Sequence, residues 1–269
     1  MASKTRDSTK QSTTLPGLRV IVTGKGGVGK TTFTTLLARN LTEKGFSVLA
    51  IDADPQEDLA SSFGYTRDEI TPITKNRRYI EEKMGGRGVV VLNPDLSDLI
   101  DRCGKRTTDG IGLLVMGTVD SAGGGCLCPE NTLIRGIIRK VRVKEGEVVL
   151  MDTPAGLEHL GRGLGKGFSH LIALAEPTTN ALKTACRTAE LAGELGISDR
   201  TLVINKVRSE EEYQRAITTL GSDHPFTMIR SLPYDDEIAS SDLMASERRS
   251  VILDGISALA ETIITKKGR

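Results

Sequence analysis

The sequence lacks tryptophan altogether, and its 269 residues include only five phenylalanines and four tyrosines. It also lacks a strong net charge, because 36 basic side chains against 35 acidic ones leave a formal charge of +1. Proteins that hold nucleic acid usually combine a basic surface with aromatic side chains on which bases stack. We therefore expect no nucleic-acid partner.

Long apolar runs are missing as well. No stretch approaches the roughly 18 consecutive apolar residues that a transmembrane helix requires, so we expect no membrane partner. Residues 1–17 are rich in Ser, Thr and Lys without the apolar core of a signal peptide. They predict a disordered tail before a single domain over 18–269. The four cysteines, without a secretion signal, favour a cytoplasmic location, where paired cysteines more often serve metal or redox chemistry than structural disulfides.

Short apolar runs alternate with amphipathic helical patterns along the domain. Because the runs are continuous rather than alternating, they predict strands covered on both faces, as in a doubly wound, mostly parallel α/β sheet flanked by helices. The predicted strands are 18–22, 48–51, 89–92, 113–116, 148–151, 171–174, 202–204 and 226–229. The predicted helices include 33–44, 133–141, 182–195 and a closing helix at 251–264. The polar segment 68–87 predicts a surface insertion.

A glycine-rich loop follows the first predicted strand and opens a helix. Its residues are Gly24, Lys25, Gly26, Gly27, Val28, Gly29, Lys30, Thr31 and Thr32. Such a loop points successive N–H groups at phosphate oxygens, at the positive end of a helix. Lys30 is placed to reach the β- and γ-phosphates, and the Thr31 hydroxyl is placed for Mg²⁺. The loop predicts binding of ATP or ADP, against the alternative of a simple glycine-rich turn.

Lys25 makes this loop unusual. A phosphate loop with a lysine at this early position resembles the deviant Walker A motif of the signal-recognition, MinD and BioD class. That resemblance implies that Lys25 crosses a dimer interface to the partner's nucleotide. A second cation near the γ-phosphate would stabilise transition-state charge, so Lys25 is a catalytic candidate together with Lys30. The alternative is a solvated loop lysine.

Carboxylates end two of the predicted strands, where open α/β sheets bind ligands. Asp52 and Asp54 end the second strand, and Asp152 ends the strand at 148–151. The resemblance assigns Asp54 to the attacking water and to Mg²⁺, and Asp52 to the network of magnesium and the phosphate loop. Asp52 as the N-cap of the next helix is the alternative. Asp152 resembles a Walker B aspartate that holds Mg²⁺, with Gly156 allowing a switch motion after it.

Two later residues are candidates for reading the base. Asn205 ends the strand at 202–204, and in the wider class an asparagine here reads adenine. Pro233 belongs to a turn that resembles the one against which the base packs. The alternative for Asn205 is a helix cap.

A cysteine pair follows three glycines. Cys126 and Cys128 lie just before a predicted helix, where the thiolate form that binds metal is favoured. Two thiolates under-coordinate Ni²⁺ or Zn²⁺, so the pair predicts half of a site that a two-fold axis completes from a second chain. A redox pair and ordinary small residues are the alternatives. Cys103 and Cys186 are expected to be ordinary small residues.

The combined pattern resembles one family, the CooC-type nickel-insertion ATPases that mature carbon monoxide dehydrogenase. The segments that carry the resemblance are the loop, Asp52–Pro55, Gly124–Asn131 and Ala155–Gly163. Pro154 departs from it, since many relatives have an acidic residue there, and His159 is a metal ligand only as the lesser alternative to a switch or packing role. The resemblance implies an ATPase that binds nickel or zinc as a nucleotide- and metal-dependent homodimer and serves a client metalloenzyme.

Two other classes share the loop. A spatial regulator of the ParA or MinD type would leave the C-x-C pair unexplained. An iron–sulfur reductase resembling the nitrogenase iron protein draws one cysteine from each of two separated loops, which Cys103 with Cys126 could imitate.

Overall fold

We describe the protein from a computed structural model. It describes residues 17–54, 56, 58–84, 91, 95–117, 136, 141, 143–156, 165–236, 238 and 251–266. The predicted tail, apart from Gly17, lies outside these residues.

The described strands form one eight-stranded sheet in the order β3-β4-β2-β5-β1-β6-β7-β8. All neighbours pair in parallel except β3, which runs antiparallel to β4. The strands are β1 (Leu18–Gly24), β2 (Ser47–Asp52), β3 (Lys105–Arg106), β4 (Gly112–Val115), β5 (Glu147–Asp152), β6 (His170–Ala175), β7 (Asp199–Val207) and β8 (Met228–Pro233).

Helices cover both faces of this sheet. They are α1 (Lys30–Glu43), α2 (Asp58–Ser62), α3 (Arg77–Met84), α4 (Leu99–Cys103), α5 (Thr179–Glu194), α6 (Glu210–Leu220) and α7 (Val251–Lys266), with 3-10 turns at Arg67–Glu69 and Ile73–Lys75. Helices α1 and α7 pack on one face, through residues such as Leu37 and Ile256. Helices α5 and α6 pack on the other, through Ala185 and Ala216. The doubly wound, mostly parallel fold is therefore confirmed.

Seven of the eight predicted strands are present, and five of them are longer than predicted. Strand β4 begins and ends one residue earlier than predicted, and β8 covers 228–233 instead of 226–229. The expectation for 89–92 lies mostly outside the described residues, and Val91, which is described, is not in a strand. The helix expected at 133–141 also lies mostly outside them.

The expectation of a surface insertion at 68–87 was wrong for the part that the structure describes. Ile73 and Tyr79 are fully buried in the hydrophobic core, and Ile70 and Ile80 are nearly so. Ile73, Tyr79 and Ile80 belong to the core cluster on one face of the sheet, and Ile70 belongs to that on the other, so the charged composition of the segment hid its buried apolar side chains.

Candidate nucleotide and magnesium site

The phosphate loop joins the centre of the sheet to α1. Its first residue, Gly24, runs so close to β6 that a Cβ there would lie 2.5 Å from the carbonyl oxygen of Leu174. Gly29 has φ 95° and precedes α1 without any side-chain cap. The first N–H groups of α1 are thus left for a ligand, and phosphate is the group that such a helix end binds best.

Three carbonyl groups of the loop have side-chain partners within the protein. The Lys30 ammonium donates to the carbonyl of Lys25 at 3.3 Å. The Asn205 amide donates to the carbonyl of Val28 at 2.9 Å, and the Lys206 ammonium donates to the carbonyl of Gly27 at 2.7 Å. Because these oxygens are held by the protein, the N–H groups of the loop are the ones available to an anion.

A threonine and an aspartate form the candidate magnesium site. The Thr31 hydroxyl donates to Oδ2 of Asp152 at 2.7 Å. The other oxygen of Asp152, Oδ1, is buried and has no hydrogen-bond partner among the described residues. An unpaired buried carboxylate oxygen beside a hydroxyl fits a hard cation that takes oxygen ligands, as Mg²⁺ does. Thr31 and Asp152 would hold that ion and screen phosphate charge with it.

Asp52 lies directly across from Asp152 in the paired strands β2 and β5. Both carboxyls are buried. Burial first, and then repulsion from Asp152, raise the pKa of Asp52 to about 7. The pKa of Asp152 is raised to about 6, mainly by burial. The Thr31 hydrogen bond and the charge of Lys30 act in the opposite direction on Asp152. Ionising two buried, neighbouring carboxyls costs free energy. A cation bound between them at the ends of β2 and β5 would lower that cost.

Asp52 also organises the segment that follows it. Its carboxylate accepts hydrogen bonds from the backbone N–H of Asp54 at 3.0 Å and from that of Leu59, in the first turn of α2, at 2.9 Å. Asp52 therefore bonds the first turn of α2 without being its N-cap residue, since the helix begins at Asp58. Its place beside Asp152 also keeps it next to the candidate magnesium site.

Asp54 and Lys25 lie at the exposed edge of the site. Asp54 is half-buried, and its carboxylate accepts from the N–H of Gln56 at 3.0 Å. Lys25 is exposed, and its ammonium makes no hydrogen bond or ion pair to the residues that the structure describes. Both groups are therefore available to a bound nucleotide or to a second chain.

A cavity of about 110 Å³ adjoins the start of α1. Asn205 and Pro233 both line it, beside Gly29 and Thr32, and apolar side chains such as Phe33 form much of its wall. A flat base fits apolar walls with a few polar groups. The Asn205 Nδ2, however, already donates to the phosphate loop, so any reading of the base falls to its remaining atoms.

The structure thus brings together the predicted nucleotide and magnesium residues. Cys126, Cys128 and His159 lie outside the described residues. Cys103 is 5% exposed and its thiol accepts from the Asn76 amide, while burial raises its pKa.

The sequence did not predict a role for Lys206 or Glu176, although Lys206 follows directly after the predicted residue Asn205.

A strand, a phosphate loop and a buried strand-end aspartate paired with the loop threonine define a P-loop nucleotide hydrolase. The chain belongs to the CobQ/CobB/MinD/ParA nucleotide binding domain family, whose model matches residues 19–246.

Relatives refine this assignment. The carbon monoxide dehydrogenase accessory protein CooC of Rhodospirillum rubrum is 37% identical over 84% of this chain and 87% of its own. An uncharacterized ATP-binding protein of Methanocaldococcus jannaschii is 36% identical over 84% of this chain and 89% of its own. The predicted resemblance to CooC-type, MinD/ParA-like ATPases is thereby confirmed, and the protein is an ATPase.

Solved structures agree on the fold. The septum site-determining protein MinD of Pyrococcus horikoshii, complexed with Mg-ADP, has a TM-score of 0.66. It is 20% identical over 94% of this chain and 98% of its own. No helix within the described ranges is long and apolar enough to cross a membrane.

Proposed function

We propose that this ATPase is a metallochaperone that carries nickel to a carbon monoxide dehydrogenase. The observation that carries the proposal is the 37% identity to the accessory protein of Rhodospirillum rubrum over most of both chains. The C-x-C pair at Cys126 and Cys128 supplies the chemistry, because two chains together offer the four thiolates that Ni²⁺ or Zn²⁺ can take.

In this proposal the nucleotide site controls the dimer. Lys30 and the loop N–H groups bind the phosphates, Thr31 and Asp152 hold Mg²⁺, and Asp54 orients the attacking water. Lys25 reaches the nucleotide of the second chain. Its exposed ammonium, which has no partner within the described part of the chain, supports that role.

The segment after β5 would transmit the effect of ATP hydrolysis to the site that binds nickel or zinc. Gly156 there has φ 101°, and a Cβ on Gly26 of the loop would lie 3.8 Å from that of Ala155. Loss of the γ-phosphate next to Gly26 can therefore move this segment, separate the chains and release the metal ion to the client.

Metal binding tests the proposal. A reduced preparation is titrated with Ni²⁺ and separately with Zn²⁺, with a non-hydrolysable ATP analogue present and absent, while light scattering follows the mass. We expect one metal ion per two chains, and tighter binding with the analogue, because ligands that favour the same dimer reinforce each other. Cys126→Ala should lose the site and keep ATP binding, whereas the matched control Cys186→Ala should keep both.

Other outcomes reject the shared site. One metal ion per chain, or unchanged affinity in Cys126→Ala, would do so. A brown four-iron cluster after anaerobic purification would favour the reductase class, which the burial of Cys103 argues against.

Delivery of the metal ion is tested with nickel-free carbon monoxide dehydrogenase as acceptor. Its activation should require ATP and should fail with the Asp54→Asn variant.

A further inference from the structure

The end of β7 departs from regular strand geometry. The pairing of β7 with β8 shifts register between Ile204 and Val207, so Asn205 and Lys206 form an irregularity in the strand. Lys206 has φ 62°, and it is the one non-glycine residue with positive φ within the described ranges. A lysine in this region is under backbone strain, and such strain persists where surrounding contacts impose it.

The irregularity turns two consecutive side chains toward the same loop. In a regular strand, Asn205 and Lys206 would point to opposite faces of the sheet. Here the Asn205 amide donates to the carbonyl of Val28 and the Lys206 ammonium donates to that of Gly27. Bulges commonly re-aim side chains in this way.

A third residue fixes the lysine. The Lys206 ammonium lies 2.8 Å from Oε1 of Glu176, which follows directly after β6. Lys206 therefore links the ends of β6 and β7 to Gly27 in the phosphate loop. Its side chain and that of Glu176 are only partly exposed, at 36% and 43%.

We propose that Lys206 is a positioning residue for ATP binding and hydrolysis. It holds the carbonyl of Gly27 away from the phosphates, so that the loop N–H groups face them before nucleotide arrives. The strain at Lys206 is the cost of this preset loop. Because the contact is with the loop backbone and not with the γ-phosphate, ATP and ADP should benefit equally.

Two substitutions of Lys206 separate the roles of charge and strain. Lys206→Met keeps most of the side-chain length and loses the cation. It should weaken fluorescent analogues of both ADP and ATP by about tenfold, as expected when one charge-assisted hydrogen bond is lost, with the change in KM exceeding that in kcat. Lys206→Gly should weaken both to a similar degree. It should nevertheless raise the melting temperature by about 2 °C, because glycine accepts positive φ.

Matched controls accompany these variants. Glu176→Gln keeps an acceptor but removes the charge, and should weaken both nucleotides by about threefold. Lys183→Met removes an exposed lysine on α5, outside the nucleotide site, and should bind as the parent does. Nucleotide affinity is measured by fluorescence titration, and the melting temperature by circular dichroism without nucleotide.

The proposal is overturned if folded Lys206→Met and Lys206→Gly both bind ADP and ATP within twofold of the parent. It is also overturned if the loss is confined to ATP, since the lysine would then act on the γ-phosphate. A loss of nucleotide affinity in Lys206→Met that Lys206→Gly does not share would also overturn it, because the cause would then be packing by the longer methionine side chain. None of these measurements depends on nickel or zinc, so their outcome does not depend on whether the proposed metallochaperone function is correct.

Discussion

The Thr31 hydroxyl and the Asp152 carboxylate are joined by a 2.7 Å hydrogen bond, although they are 121 positions apart in the sequence. The bond ties the start of α1 to the end of β5. It also uses only one oxygen of Asp152, and the second is buried without a partner among the described residues. This free oxygen beside the Thr31 hydroxyl is the observation on which the predicted magnesium site depends.

Removing the Thr31 hydroxyl tests this arrangement. Thr31→Val keeps the size and branching of the side chain, and should raise the Mg²⁺ concentration for half-maximal ATPase activity by about tenfold or more. Thr42→Val is the control, because the Thr42 hydroxyl donates to a carbonyl of α1 itself. An unchanged magnesium requirement in Thr31→Val would contradict the assignment.

The stability of the nucleotide-free protein should depend on Asp152 and pH. Burial raises the pKa of Asp152 from 3.8 to about 6, so between these values the folded protein keeps a proton that the unfolded chain has released. Raising the pH through this range therefore destabilises the parent, and Asp152 accounts for about 2–3 kcal/mol of the loss once the pH is above 6. Asp52, whose pKa is raised to about 7, adds a loss of the same sign.

Asp152→Asn should remove the part of that loss that Asp152 causes. Relative to the parent, its free energy of unfolding should rise as the pH is raised from about 4 to above 6. Urea unfolding without magnesium or nucleotide measures the difference at several pH values. A difference that stays constant with pH would show that the native carboxyl titrates normally.

Lys30 and Asp54 should differ in which step they affect. Lys30→Ala should lose nucleotide affinity and turnover together, because we expect its cation to contact phosphate in both ground and transition states. Asp54→Asn should bind ATP as the parent does and lose about 100-fold or more in kcat, since only the positioning of water is affected. Titration with a fluorescent ATP analogue and phosphate release measure the two quantities. Parent-like turnover in Asp54→Asn would reject its role.

Lys25 should matter only when two chains meet. Lys25→Ala should bind ATP with the parent's affinity, because the exposed ammonium does not organise its own loop. It should, however, stay monomeric with a non-hydrolysable analogue. Light scattering at fixed nucleotide saturation gives the mass, and normal dimer formation would exclude a role across the interface.

Much of the fold and of the nucleotide site could be predicted because the signals are local. A continuous apolar run predicts a strand buried on both faces, and the residues that follow it must lie at one edge of the sheet. Asp52 and Asp152 were selected by this argument together with the family resemblance, and they prove to be opposite each other in neighbouring strands.

Other features depend on contacts that no local pattern encodes. Lys206 reaches the loop only because β7 breaks its register and the residue adopts φ 62°. The segment 68–87 resembles a surface insertion by composition, yet Tyr79, in its described part, is fully buried. Asn205 was selected for the base, while its amide nitrogen holds the carbonyl of Val28, 177 positions away.

The strand order has a consequence for synthesis of the chain. Strand β1 lies between β5 and β6, and the loop that it carries is held by Asn205 and Lys206 of β7. A nascent chain that has exposed β1 and α1 therefore carries the loop sequence without the partners that shape it. ATP should bind only after β7 has left the ribosome and docked, and such distant strand pairings form slowly. Nucleotide binding by a growing chain would thus report that nearly the whole sheet has assembled.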